Sequence, residues 1–142
     1  LNGNLSINLD SIDNEFVDRG NINISVNEKS IDVKDIFFKI DGGHIASKIL
    51  YLENEGELIF MSKNSLEIKN KKKFAKKFQI KVDKIKDIRK INFNLLRNID
   101  TGKISISEIK IDDLNNNKSF NQIYNVNNIQ ELRSLLKTIL NS

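Results

Sequence analysis

The chain has 142 residues, enough for one domain with a sizeable core and too few to expect two. It has no Cys and a single His, which removes disulfide frameworks and Cys-based metal sites. The formal charge of +4 hides a split: residues 69–91 hold eleven basic and two acidic side chains (+9), and the rest hold twelve basic and seventeen acidic (−5).

Proline is absent, Ala occurs only at 46 and 75, and Ile and Asn each exceed twenty. Ile, Asn and Lys share A/T-rich codons, so part of the Lys content and the chance sequons at Asn4, Asn23 and Asn117 reflect genome bias. The longest apolar runs, Ile49–Leu52 and Leu58–Met61, are four residues each, far short of the roughly 20 needed to span a bilayer as a helix. No signal peptide is visible, and the opening "LNGNLSINL" reads as mid-strand. A piece of a longer protein is therefore expected, with any anchor or export signal outside it.

Period-two alternation runs through the first two thirds. Leu5, Ile7 and Leu9 alternate with polar residues, as do Ile22, Ile24 and Val26 after the turn signal Arg19-Gly20-Asn21. Ile31 and Val33 continue it, the phase slips at Asp35-Ile36, and Phe38 and Ile40 lead into the turn Asp41-Gly42-Gly43. Ile45 to Leu52 follow, then Leu58 and Phe60 after Asn54-Glu55-Gly56, then Leu66 and Ile68. Beyond the basic segment, Ile91, Phe93 and Leu95 form another strand. Thr101-Gly102 turns the chain into Ile104, Ile106, Ile109 and Ile111, where a one-residue slip predicts a bulge. The class expected is mainly β with minor α: an antiparallel meander of eight or nine strands, forming a curved sheet or β-groove with one apolar face.

Two segments leave this period. In the basic stretch Phe74, Phe78, Val82 and Ile85 fall at helical spacing, which predicts a basic amphipathic helix near 71–88. Near the end, Asn127 or Asn128 can cap a helix near 127–140, whose stripe is Ile129, Leu132, Leu135, Leu136, Ile139 and Leu140. That stripe needs the apolar face of the sheet as its partner.

Catalytic chemistry is hard to assemble. His44 stands beside Gly42-Gly43 and reads as an ordinary turn or strand residue, and no Gly-x-Ser-x-Gly elbow exists. Gly42-Gly43 lacks the Lys-Ser/Thr of a phosphate loop. Asp112-Asp113 reads as a solvated strand end. An enzyme is not expected, nor a cofactor or metal site.

The basic stretch has three readings. Nucleic acid is disfavoured, because Phe74 and Phe78 share the apolar stripe and Arg89 is the segment's only Arg. Contact of Lys71, Lys72, Lys73, Lys76 and Lys77 with an anionic membrane surface or acidic partner is physically reasonable. The plain alternative is a helix packed on the sheet with its lysines in solvent.

The strand starts "NGNLSINL" and "RGNINISV" resemble the long β-groove proteins of the AsmA-like superfamily, the TamB and YhdP types among them. "KKKFAKKFQIKVDKIKDIRKINFNLLRNIDTGKISISEIKID" looks like the C-terminal part of AsmA-like proteins of alphaproteobacteria, in the order of its elements. The closing "IYNVNNIQELRSLLKTIL" sits where those proteins carry a short terminal helix. The connection "KVDKIKDIRK" lacks the proline often found near it.

The resemblance implies that residues 1–142 form a single β-rich module, the C-terminal fragment of a periplasmic protein. It also implies an inner-membrane anchor in a segment outside this chain. An apolar β-groove would carry phospholipid acyl chains between membranes or serve outer-membrane assembly. Leu5, Ile7, Leu9, Ile22, Ile24, Val26, Ile91, Phe93 and Leu95 would form its apolar face, although a plain core would show the same alternation. The partners expected are phospholipid acyl chains, the bacterial membrane and the remainder of the longer chain, without nucleic acid. The competing reading is an independent β-rich binding module that uses residues 69–91 against an anionic surface.

Overall fold

Strand after strand pairs with its sequence neighbour, so the sheet is a meander. The computed structural model describes residues 2–10, 17–29 and 31–141. Its strands are β1 (Gly3–Leu9), β2 (Arg19–Val26), β3 (Ile31–Ile40), β4 (Gly43–Asn54), β5 (Glu57–Ile68), β6 (Ile88–Asn98), β7 (Ile104–Asp113), β8 (Lys118–Phe120) and β9 (Tyr124–Asn125). All pairings are antiparallel, and β9 adds to β7 beside β8. The helices are α1 (Lys71–Phe78), between β5 and β6, and α2 (Ile129–Asn141) at the end.

Turn chemistry sets the register. Glu55 and Gly56, both at positive φ, close the β4–β5 hairpin in two residues, as a strand-twist-matched turn requires. Gly42 closes β3–β4 at φ 83°. Both phase slips read from the sequence are register shifts. One faces Asn23/Ile24 across from Val33 and Asp35, and the other lies between Asn92 and Asn94, where Glu108 adopts φ 49°. Arg19-Gly20-Asn21, read as a turn, is instead the start of β2, with Gly20 opposite Phe38 and Leu9. The sequence reading also missed β8 and β9, two- and three-residue strands too short to show a period.

The helix expected near 71–88 is an eight-residue helix followed by a 3-10 turn at Val82–Lys84. The Asn70 side chain caps its start by accepting from Lys73 N–H at 3.0 Å. Gln79 in the left-handed region ends it, and Ile80 N–H closes back onto Ala75 C=O at 2.9 Å. That turn breaks the 3.6-residue period, so Ile80 points inward and Val82 is 43% exposed. Phe74, Phe78 and Ile85 are buried as expected. At α2, Asn128 is the cap: its Oδ1 accepts from Glu131 N–H at 2.9 Å, and Glu131 reaches back to Asn127 N–H at 2.7 Å.

The core lies between the apolar sheet face and both helices. Ile40, Leu66, Ile68, Ile91, Ile109 and Ile111 meet Phe74 and Phe78 of α1 and Leu135, Leu136 and Ile139 of α2. Arg133 of α2 donates to Lys77 C=O at 3.1 Å, placing a cation at the C-terminal end of α1. The start of α1 rests on the β3–β4 hairpin, since Lys69 and Asn70 N–H both donate to Gly42 C=O at 2.8 Å. A Cβ at Gly42 would stand 2.5 Å from Asn70 O and Phe74 N, and one at Gly43 would stand 2.2 Å from Glu67 O. The Gly42-Gly43 pair is thus a docking point for the basic segment.

Candidate functional site: an apolar sheet face covered at one end

Residues directly opposite one another across an antiparallel ladder project to the same face. Leu5 pairs with Ile24 and Ile7 with Ile22, while Leu9 lies opposite Gly20. Ile22 pairs with Ile36, and Ile36 with Ser47. Ser47 pairs with Asn64, and Asn64 with Phe93. Leu66 pairs with Ile91, Ile91 with Ile111, and Leu95 with Ile106. Leu5, Ile7, Leu9, Ile22, Ile24, Val26, Ile91, Phe93 and Leu95 therefore share one face, although they come from strands more than sixty residues apart.

Their environments differ. Ile91 is sealed in the core under the helices, and Phe93 packs partly against it. Ile7, Leu9, Ile22, Ile24 and Val26 are half-buried, and none of them belongs to the core cluster. Leu5 is 52% exposed and Ile31, opposite Val26, is 72% exposed. The core under the helices takes in Ile40 at the end of β3, whereas Leu5, Ile7, Leu9, Ile22, Ile24 and Val26 of β1 and β2 lie outside the core cluster. Leu95 is half-buried at the far end of β6.

Between these regions the face is interrupted by buried polar groups, which the sequence reading missed. Ser47, Ser62 and Asn64 are all buried. Ser47 Oγ donates to Asn64 Oδ1 at 2.6 Å, and Asn64 Nδ2 donates to Ser62 O and Oγ at 3.0 Å. The amide is satisfied within the sheet, as burial requires. The signal was present: polar Ser47 sits between Ile45 and Ile49 on the apolar phase, and polar Ser62 and Asn64 sit between Phe60 and Leu66.

At the covered end, an apolar crevice of about 80 Å³ lies between the sheet and α2, walled by Ile45, Leu66, Phe93, Ile109, Leu132 and Leu136 among others. Its lining offers no hydrogen-bonding side chain, so it suits hydrocarbon.

The basic segment presents a different surface. Lys72, Lys73 and Lys76 are exposed, Lys71 and Lys77 are half-buried, and Lys71 Nζ donates to Lys86 C=O. Phe74 is 0% exposed and its ring lies 4.6 Å from that of Phe78, both turned into the core. α1 thus offers charge to solvent and has no apolar stripe left to insert into a bilayer.

His44 lies on the opposite, polar face. Its Nε2 is 2.8 Å from Glu67 Oε2, and Lys69 Nζ is 3.0 Å from Glu67 Oε1. The hydrogen bond from Lys69 holds the Glu67 carboxyl below its ordinary 4.5, opposed by partial desolvation and helped by the charges of Lys69, His44 and Lys90. Asp113 Oδ1 accepts from Asn115 N–H at 2.8 Å, so Asp112-Asp113 sits at a turn-forming strand end. Among the described residues no group of His, Asp and Glu could hold a metal ion, and no helix is long and apolar enough to cross a membrane.

No family model matches the chain, and no curated protein or solved structure matches it.

Proposed function

We propose that this chain is a non-enzymatic module of a cell-envelope protein whose apolar sheet face takes up phospholipid acyl chains. One observation carries the reading: the apolar rows of β1 and β2 share a face with the core, and none of their residues belongs to the core cluster. Acyl chains ask only for apolar contact, and Leu5, Ile7, Ile22, Ile24 and Val26 supply it in paired rows across two strands. The resemblance to AsmA-like proteins gives the reading its setting: a periplasmic location, an inner-membrane anchor elsewhere in the polypeptide, and transport of lipid or upkeep of the outer membrane. Ser47, Ser62 and Asn64 divide the bare face from the helix-covered core, so bound chains lie along β1–β3.

The test is photo-crosslinking in bacterial membranes from a probe residue at Ile24, with a second probe at exposed Lys48 on the polar face. Lipid adducts at Ile24 and none at Lys48 are expected. Equal labelling at both positions, or adducts only to protein at Ile24, would refute the proposal.

A second reading draws on Lys72, Lys73 and Lys76, which stand together in solvent on α1. With Phe74 and Phe78 committed to the core, any membrane contact there is electrostatic adsorption rather than insertion, and it is sensitive to salt.

A further inference from the structure

The polar face carries a cavity of about 620 Å³ spanning β3 to β7. Its floor follows from register. Phe37 pairs with Ala46, Ala46 with Ser65, Ser65 with Asn92, and Asn92 with Lys110, so one transverse row crosses five strands. The three central members are small or short, while the next row carries long side chains: Lys48 opposite Lys63, and Lys63 opposite Asn94. A low row beside a tall one makes a slot. At about 4.8 Å between strands, it runs about 19 Å from β3 to β7.

The charges on this slot are unusual for a sheet surface. Like charges directly opposite each other are unfavourable, yet Lys48 faces Lys63. Among the described residues neither of them, nor Lys110 at the end of the floor, forms an ion pair. The two carboxylates of the slot, Asp35 and Glu108, stand at its opposite ends on β3 and β7, and Glu108 is held by Asn94 Nδ2 at 3.0 Å. The middle is therefore cationic and the ends offer acceptors. Ser65 and Asn92 supply donors and acceptors along the floor. At the β3 end Phe37 is 43% exposed, its ring 4.9 Å from that of His44, an apolar platform beside polar groups.

We infer that this slot binds a short acidic saccharide. The carboxylate or phosphate of the sugar sits between Lys48 and Lys63, its hydroxyls bond Ser65 and Asn92, and a ring face rests on Phe37. A chain of linked rings fits the length of the slot better than a single small anion. An acyl chain does not fit, because the central floor is polar and the walls are charged. The site lies on the face opposite the acyl-binding surface and stands or falls independently of it.

The experiment is an amide chemical-shift titration of the described chain with trigalacturonate, with maltotriose, inorganic phosphate and a short poly-glutamate peptide in parallel. Trigalacturonate is expected to shift amides of residues 46–48, 63–65 and 92–94 at millimolar concentration or below, with maltotriose and phosphate much weaker. K48Q/K63Q is expected to weaken trigalacturonate by about tenfold without lowering the thermal midpoint, since both side chains are exposed and the change removes a like-charge pair. F37A should weaken trigalacturonate and leave phosphate untouched. The inference is overturned if no probe shifts these amides, if phosphate or the peptide binds as well as the saccharide, or if K48Q/K63Q binds like the parent.

Discussion

Ile24 and Ile111 occupy the same face of the same sheet, and the acyl-binding proposal requires them to respond differently to truncation. Ile111 is fully buried among Ile91, the helices and its neighbours, so Ile111→Ala leaves a cavity and costs about 2–5 kcal/mol. Ile24 is half-buried, touching the rows of Leu5 and Val33, so Ile24→Ala forfeits roughly half of a full burial term, about 1 kcal/mol. With a urea slope of about 2 kcal/mol per molar, the midpoint should fall by about 0.5 M for Ile24→Ala and by at least about 1 M for Ile111→Ala. The same Ile24→Ala protein should bind a fluorescent fatty acid about fivefold more weakly, the equivalent of about 1 kcal/mol of lost apolar contact. Circular dichroism of both variants before denaturation guards against a folding artefact. The reasoning fails if Ile24→Ala is as destabilising as Ile111→Ala, because the β1–β3 face would then be interior. It fails equally if Ile24→Ala leaves fatty-acid binding unchanged.

Replacing Lys72, Lys73 and Lys76 by Gln should move the thermal midpoint little, since each is solvated. If α1 adsorbs to anionic vesicles, the same variant should lose about 1 kcal/mol per lysine in a co-sedimentation assay at low salt, and nothing at high salt. Gly42→Ala should lower the thermal midpoint by about 10 °C, because left-handed strain of about 1–3 kcal/mol adds to a Cβ 2.5 Å from Asn70 O. A wild-type midpoint in that variant would contradict the docking of α1 on the hairpin. Because the folded Glu67 carboxyl titrates below its ordinary 4.5, its stabilising contribution is present above that value and lost as pH falls through the folded pKa. Thermal midpoints of Glu67→Gln and wild type should therefore differ slightly above 4.5 and converge in stronger acid.

The meander was legible because its information is local. Period-two alternation, the turn pairs Asp41-Gly42 and Glu55-Gly56, and the one-residue slips near Asp35 and Glu108 each act within a few residues, and each has its counterpart in the ladders. Alternation also determined that Leu5, Ile24 and Phe93 would share a face once neighbouring strands paired in sequence order. Which of them would be covered was beyond local reach, since that depends on where the helices settle on the sheet. The left-handed Gln79 cut short a stripe that periodicity extended to Val82, because capping geometry outweighs spacing once a better apolar residue, Ile80, can be turned inward. The slot on the polar face was equally invisible: Lys48 and Lys63 are fifteen residues apart, and only the β4–β5 register sets them opposite each other.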